Sequence, residues 1–498
     1  MERIKPFWAQ WEPAHELTAS QNGELLVRIF LPYSDLTWIN HAKQKEDQEA
    51  IKRGEIPISF TTSDEDYLAK DENGNLMPGN ITEEVYWAVH HTLPIWRLSY
   101  IGQLALLTYA TEDKINYYAR GPNFSHTRLD HVMKTARTLE QVLKNNGFDE
   151  KTVNLGIIAA ICHDLAVPPY SDPTKEIDPE ALSEETRLRR LFEKYDLSPL
   201  SKYGFDPEKA LEIVQNEGTI GKLLDIADKI SYTAADCYAY LGDITYFTTQ
   251  KKRALGPISA TVNPIVDLID QDPNWANLYK EIRIDENGQP YFENAHKLAI
   301  FLELRARMHK GLYLNPHCRA QDLLYKMLIQ PLYSRNPNEN YPLNPETLLF
   351  LTDSDVSQII LDHWPPLRNF SQIEFVLGVL PDYFKVQNPE AIEDKIKRLT
   401  DEGLLVIGSE TIRRFNPATN FLAIDPKDKK TKPFSEIFPE KSAELEKIAE
   451  ASSQTAVYYW PQTPYPNSRE AKLKPFITLI TEEVKRRNNG KLPHFELY

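Results

Sequence analysis

Cysteine is nearly absent: 498 residues contain three, Cys162, Cys237 and Cys318, far apart and in no CxxC pair. An odd, scattered set excludes a disulfide framework and a cysteine zinc cage, and it suits a reducing compartment. Long apolar runs are missing too. The longest, from Leu155 to Val167, is broken by charge and falls short of the roughly 18 residues a spanning helix requires. The opening MERIKPFWAQWEP lacks a basic stretch followed by an apolar one and a cleavage site, so no secretory signal is expected and the chain reads as cytoplasmic. Positive charge is in deficit. With 57 Lys+Arg against 72 Asp+Glu the net charge is −15, and a surface of that sign repels phosphate backbones and anionic lipid. Nucleic acid and membranes are therefore disfavoured as partners, whereas a small anion needs only a few convergent cations.

What is present is an ordinary globular composition, 41% hydrophobic and 26% charged, with length for roughly two to four core-forming units. Residues 1–82 read as an N-terminal extension, aromatic-rich and then turn-rich at KDENGNLMPGN. Helical periodicity follows. DHVMKTARTLEQVLKNNG sets Val132, Ala136, Leu139 and Val142 near one face and stops at Gly147. TVNLGIIAAICHDLA reads as a buried helix. IGKLLDIADKISYTAADCYAYL and NAHKLAIFLELRARMHKGLYL are two more, the last ended by Pro316. Strand pairs are scarce. The block from Leu348 to Gly408 looks helical with a short strand-like LLVI, and a Pro- and Tyr-rich, mixed portion closes the chain. The 35 prolines are spread over loops, and no internal repeat is visible. The expected fold class is mainly α, a helical core over 83–335 with smaller α+β regions on either side, the C-terminal one spanning 336–498.

Four pieces carry chemistry. The first is His163-Asp164, at the end of an apolar helix where an acid and an imidazole are costly to bury unless paired or bound to a cation. A helix-terminal His with a capping Asp is the other reading. The second, His131 in TRLDH, begins the preceding helix, and an antiparallel pair would bring the two imidazoles together as ligands for Mn, Fe or Zn. A solvated His at a polar helix entry fits as well. The third is the helix face Asp228, Tyr232, Asp236, shared by Lys229 and crowded by Ile226, Ala227, Ile230, Ala234 and Ala235. The fourth is Arg305, His309 and Tyr313, offering a forked phosphate donor, an imidazole and a phenol. Either face could also be an ordinary amphipathic one.

In this order and spacing the segments R-L-D-H (Arg128 to His131), H-D-L-A-V-P-P-Y-S (His163 to Ser171), D-K-I-S-Y-T-A-A-D-C (Asp228 to Cys237) and R-A-R-M-H-K-G-L-Y (Arg305 to Tyr313) resemble the HD-domain deoxynucleoside triphosphate triphosphohydrolases, the dGTPase-like group. R-L-S-Y-I-G-Q-L (Arg97 to Leu104) is similar to the family's sugar-contacting segment, and L-T-D-S-D (Leu351 to Asp355) faintly to its C-terminal helical lobe. The resemblance covers roughly residues 83 to 370. It implies an HD-domain helical core in which His131, His163, Asp164 and Asp228 hold a divalent metal (Mn, Fe, Mg or Zn). Arg128, Lys229 and Arg305 would grip phosphates, and Gln103 and Leu104 would face the deoxyribose. Tyr232, Asp236, His309 and Tyr313 would surround sugar and base, with Tyr313 excluding a 2′-OH. The implied reaction is attack of water on the α-phosphorus of a dNTP, releasing deoxynucleoside and inorganic triphosphate. The family also implies a homo-oligomer and an activating, allosteric nucleotide.

The sequence departs from that pattern where the family has further histidines: Val167 and Asp172 stand in their places, and no histidine occurs between His163 and His296. The stretch Ala181 to Arg187 offers only Ser183, Glu184 and Glu185. Asp172 or Glu184, with a carboxyl raised by burial, is the expected substitute acid beside Arg128, a solvated loop acid being the other reading. His126 is a further candidate donor. About ten extra residues separate Leu104 from Arg128. Two other functions stay open: an HD-type phosphatase or phosphodiesterase on another nucleotide, and a catalytically impaired nucleotide-binding sensor.

Overall fold

The computed structural model describes residues 85–86, 88–89, 92–104, 126–241, 259–339, 341–364, 367, 382–386, 389–460 and 469–497. The expected extension over 1–82 and the insertion after Leu104 lie outside them. The chain divides into two units, Met1–Trp87 and Ala88–Tyr498; the first is described only at Val85 and Tyr86, and everything below concerns the second.

Helix α1 (Arg128–Asn145) starts at a reciprocal cap in which Thr127 accepts from Asp130 N and the Asp130 carboxylate accepts from Thr127 N. These bonds satisfy N–H groups that a helix start leaves unpaired. It stops where Gly147 takes φ 72°, a conformation that costs a residue with a Cβ. Helix α2 (Glu150–Cys162), capped by Asp149, is apolar all round and buried from Val153 to Cys162. A Cβ on Gly156 would meet Leu143 Cδ1 at 2.5 Å, so this glycine sets the close approach of α2 to α1. Helices α3 (Glu184–Lys194) and α4 (Pro207–Val214) lead to the long α5 (Gly218–Leu241), which packs against α1. Then come α6 (Ser259–Gln271), α7 (Ala295–Met308), α8 (Pro316–Ile329) and α9 (Asp353–His363). The protein is mainly α, with a smaller α+β portion.

Strands are more numerous than the sequence suggests. The hairpin β1 (Ile282–Ile284) and β2 (Pro290–Phe292) joins β5 (Leu422–Ile424) and β6 (Thr431–Pro433) in one four-stranded sheet, β2 pairing β5 in parallel. A second, ordered β3-β7-β4-β8, is built from β3 (Asp382–Val386), β4 (Leu405–Ile412), β7 (Gln454–Trp460) and β8 (His494–Leu497). The apolar LLVI thus opens an eight-residue strand. Around the sheets lie α10 (Ile392–Asp401), α11 (Pro439–Ser452) and α12 (Arg469–Arg487).

A buried ionic group ties the C-terminal sheet to the core. Glu410 on β4, fully buried, accepts from Arg319 Nη2 at 2.8 Å and Lys326 Nζ at 2.9 Å, both on α8. The same two cations reach Glu176 Oε2 at 2.7 and 2.6 Å. Glu176 directly follows the short helix Asp172–Lys175, so this network anchors one border of the site.

Candidate metal centre and adjoining cleft

Four side chains converge where α1, α2 and α5 meet. His131 comes from the first turn of α1, His163 and Asp164 from the end of α2, and Asp228 from the middle of α5. His131 Nε2 lies 3.3 Å from His163 Nε2, 3.6 Å from Asp164 Oδ2 and 2.9 Å from Asp228 Oδ1. His163 Nε2 is 3.9 Å from Asp164 Oδ2 and 3.5 Å from Asp228 Oδ1. His131, His163 and Asp164 each offer a ligand atom within 4.8 Å of the others, a group able to hold a divalent ion.

Electrostatics explain why such a group survives burial. Burial would raise the Asp164 carboxyl, but Arg128, His163 and His131 outweigh it and hold it far below the usual carboxylate range. Asp228 is held down against burial by the His131 and His163 imidazoles beside it. Burial pulls the His163 imidazole down, yet Asp164 and Asp228 push it up to about 9.

The residues fit a metal. His163 Nδ1 donates to Ala160 O at 2.6 Å, which orients the ring and leaves Nε2 to present a lone pair when neutral. Asp228 Oδ1 is buried without a hydrogen bond of good geometry, although both imidazoles face it. Two imidazole nitrogens and two carboxylates form a donor set suited to Mn, Fe or Zn.

Cations and constrained backbone flank the group. Arg128 donates from Nη1 to Asp164 Oδ2 at 2.7 Å and from Nε to Ser171 Oγ at 3.1 Å. Burial opposes its charge, but Asp164 and Asp172 raise its pKa. Ser171 and Tyr170 adopt φ 54° and 57°, left-handed values that cost non-glycine residues energy. One carboxylate holds this turn: Asp353 accepts from Tyr170 N at 2.7 Å and from Gly102 N at 2.9 Å. Arg97 is not a ligand-facing cation. Its guanidinium is buried and bonded to the carbonyls of Val167, Leu348 and Leu351, tying the segment after Asp164 to the one before α9. Lys175 donates to Glu184 at 2.9 Å. Glu184 is therefore engaged in an ion pair, while Asp172 is exposed at the start of its short helix.

A row of polar and aromatic side chains continues along α5 beyond Asp228. Tyr232 accepts from Arg305 Nε at 2.7 Å. Tyr313 donates to Asp236 Oδ2 at 2.5 Å, and His126 Nε2 shares the other oxygen at 2.8 Å. Asp236 lies two turns beyond Asp228, about 12 Å along the axis. Lys229 pairs instead with Asp225 on its own helix. Gln103 is buried with Oε1 unbonded, and Leu104 is half-buried. The helix expected through Tyr313 is α-helical only to Met308, and His309–Tyr313 forms a π turn in which Leu314 N bonds His309 O at 2.8 Å.

Many solved structures resemble this chain, two of them over most of its length. One is a phosphohydrolase from Bacteroides thetaiotaomicron VPI-5482, at 14% identity and TM-score 0.53, covering 79% of this chain and 100% of that one. At that identity the likeness shows a shared fold. A hypothetical protein from Aquifex aeolicus matches at 16% identity and TM-score 0.51, over 80% of this chain and 95% of that one. No protein-family model and no curated protein matches. Among the described residues no helix is long and apolar enough to cross a membrane, and Cys162 and Cys237 are free and buried.

The sequence missed Lys175, Asp353 and Phe415, which stacks on His309 at 4.6 Å and 10°. Asp353 was within reach, in the L-T-D-S-D segment; Lys175 and Phe415 carry no local pattern.

Proposed function

We propose that this chain is a metal-dependent hydrolase of deoxynucleoside triphosphates, yielding deoxynucleoside and inorganic triphosphate. The observation that carries the proposal is the convergence of His131, His163, Asp164 and Asp228 beside Arg128, with Tyr232 and Asp236 following Asp228 along the same helix. Mn, Fe or Zn suits two imidazoles better than Mg, which favours oxygen ligands and water. When bound, the ion supplies Lewis acidity at a phosphoryl oxygen.

The chain's own groups do the rest. Arg128 brings positive charge to the phosphates, and Lys175 joins it by exchanging Glu184 for phosphate oxygen. Arg305 stands between phosphates and sugar, braced by Tyr232. Tyr313, held by Asp236, is the group assigned to exclude a 2′-OH. Asp172 is exposed beside Arg128, so the burial expected to keep a proton on its carboxyl is absent, and the proton for the leaving 5′ oxygen is assigned to water rather than to this side chain. His126 is bonded to Asp236, two helical turns beyond Asp228. A homo-oligomer with an activating nucleotide belongs to the same reading, tested by sedimentation with and without dNTP.

A nucleotide-binding sensor is the second reading, favoured by the ion pair that occupies Glu184. The test incubates the purified protein with each dNTP, singly and mixed, with Mn or Mg, and resolves products by anion exchange. Deoxynucleoside plus triphosphate is expected. Orthophosphate would point to another phosphatase activity, and bound nucleotide without product to the sensor.

A further inference from the structure

The C-terminal region packs against the end of α7 at Arg305 and His309. Between the end of β4 at Ile412 and the start of β5 at Leu422, the chain reaches the wall formed by α7 and its π turn. There Asn416 O accepts from Arg305 Nη1 at 2.8 Å, and Phe415 lies parallel to the His309 ring, centroids 4.6 Å apart. The segment has a defined shape. Ala418 N donates to Asn416 Oδ1 at 2.8 Å with Ala418 at φ 57°, and Thr419 Oγ1 donates to Glu446 at 3.1 Å.

His309 is gripped on two sides, by the Phe415 face and by Tyr313 edge-on at 5.0 Å. Both its ring nitrogens are nonetheless buried without a hydrogen-bond partner. Burial, then Arg305 and Lys229, keep the imidazole well below its ordinary pKa, so it is neutral and presents one donor and one acceptor. A ring fixed in orientation with both polar atoms unspent is suited to the polar edge of a nucleoside, since leaving such atoms unpaired on burial is costly.

We infer that Phe415 is a positioning residue for nucleoside recognition, holding the His309 ring so that its nitrogens bond the sugar or base while the phosphates are bound elsewhere. This rests on the nucleotide reading given above. It assigns the C-terminal region a share in the site and separates two parts of it: His309 with Phe415 for the nucleoside, Arg128 with Lys175 for the phosphates.

The test uses the metal-loaded full chain and two probes in calorimetry. One is a dNTP analogue with carbon in place of the 5′ oxygen, which water cannot cleave at that bond; the other is inorganic triphosphate. Phe415→Ala is expected to weaken the analogue about tenfold and triphosphate less than about twofold. Phe415→Trp restores the analogue, and adding His309→Ala to Phe415→Ala costs little more, because both remove one interaction. Equal weakening of both probes, or of neither, overturns the inference. Wild-type protein that binds the analogue with this pattern yet never cleaves dNTPs defeats the hydrolase reading and leaves the inference standing. Wild-type protein that binds no analogue overturns both.

Discussion

Arg128 Nη1 donates to Asp164 Oδ2 over 2.7 Å, both groups buried. A buried guanidinium is thus bonded to one of the four convergent side chains, and it orients that carboxylate as well as adding charge. Arg128→Ala strips Asp164 of this partner. Unfolding of the metal-free variant by denaturant is expected to show a loss of about 3 kcal/mol, the range for one partner removed from a buried pair. Its kcat/KM on dNTPs should fall about a hundredfold. Arg128→Lys keeps the charge but not the fork bridging Asp164 and Ser171, and should recover stability more than activity.

Asp353 acts one step further out. It accepts from Gly102 N and Tyr170 N at once, and an asparagine has only one acceptor to offer. Asp353→Asn should release the turn that holds Ser171 against Arg128, lowering kcat about tenfold with metal content by elemental analysis unchanged. Burial pushes this carboxyl from 3.8 up to about 6 against the two backbone bonds. The native state therefore holds the proton more tightly than the unfolded chain. That contribution to stability is complete below about pH 4 and is lost as pH rises through about 6. Asp353→Asn should remove this slope from the wild-type stability profile.

His163 governs metal uptake. Its imidazole, held up to about 9 in the metal-free protein, must lose a proton before it can ligate. Affinity for Mn or Zn should rise by about tenfold per pH unit from pH 7 toward 9. The protonated ring stabilises the metal-free fold fully below about pH 6.5 and ceases to as pH rises through about 9. Melting temperatures should fall across that window without metal and stay level with it. His163→Ala with Asp164→Ala should abolish metal retention while leaving far-ultraviolet helix content largely unchanged.

Glu410 tests the link between sheet and core. It is fully buried and bonded to both Arg319 and Lys326. Glu410→Gln leaves two buried cations short of charge, and a loss of about 3 kcal/mol in denaturant unfolding is expected. Replacing Glu410 and Lys326 together by methionine should cost less, because no lone buried charge remains.

The convergence of His131, His163, Asp164 and Asp228 was legible because these residues sit in segments whose elements are local: a capped α1, an apolar α2 and a periodic α5 fix where they point. The wall was legible in part. Tyr232, Asp236, Arg305, His309 and Tyr313 were all singled out, but a continuous α-helix was expected through Tyr313, and the π turn after Met308 has no periodic signature. Strands of three residues such as β1, β5 and β6 are too short to show alternation. Lys175, Asp353 and Phe415 reach the site through loops and a helix start whose positions tertiary packing decides. The substitute acid divided the same way: Asp172 stands exposed, and Glu184 was already matched to Lys175, a pairing no spacing rule predicts.

Water labelled with oxygen-18 tests the central claim most directly. Protein loaded with Mn is turned over on a dNTP in labelled water, and the products are weighed by mass spectrometry. Attack at the α-phosphorus predicts one labelled oxygen in inorganic triphosphate and none in the deoxynucleoside. Label in orthophosphate or in a deoxynucleoside monophosphate would contradict the account, because water would then have attacked a different phosphorus or released a different group.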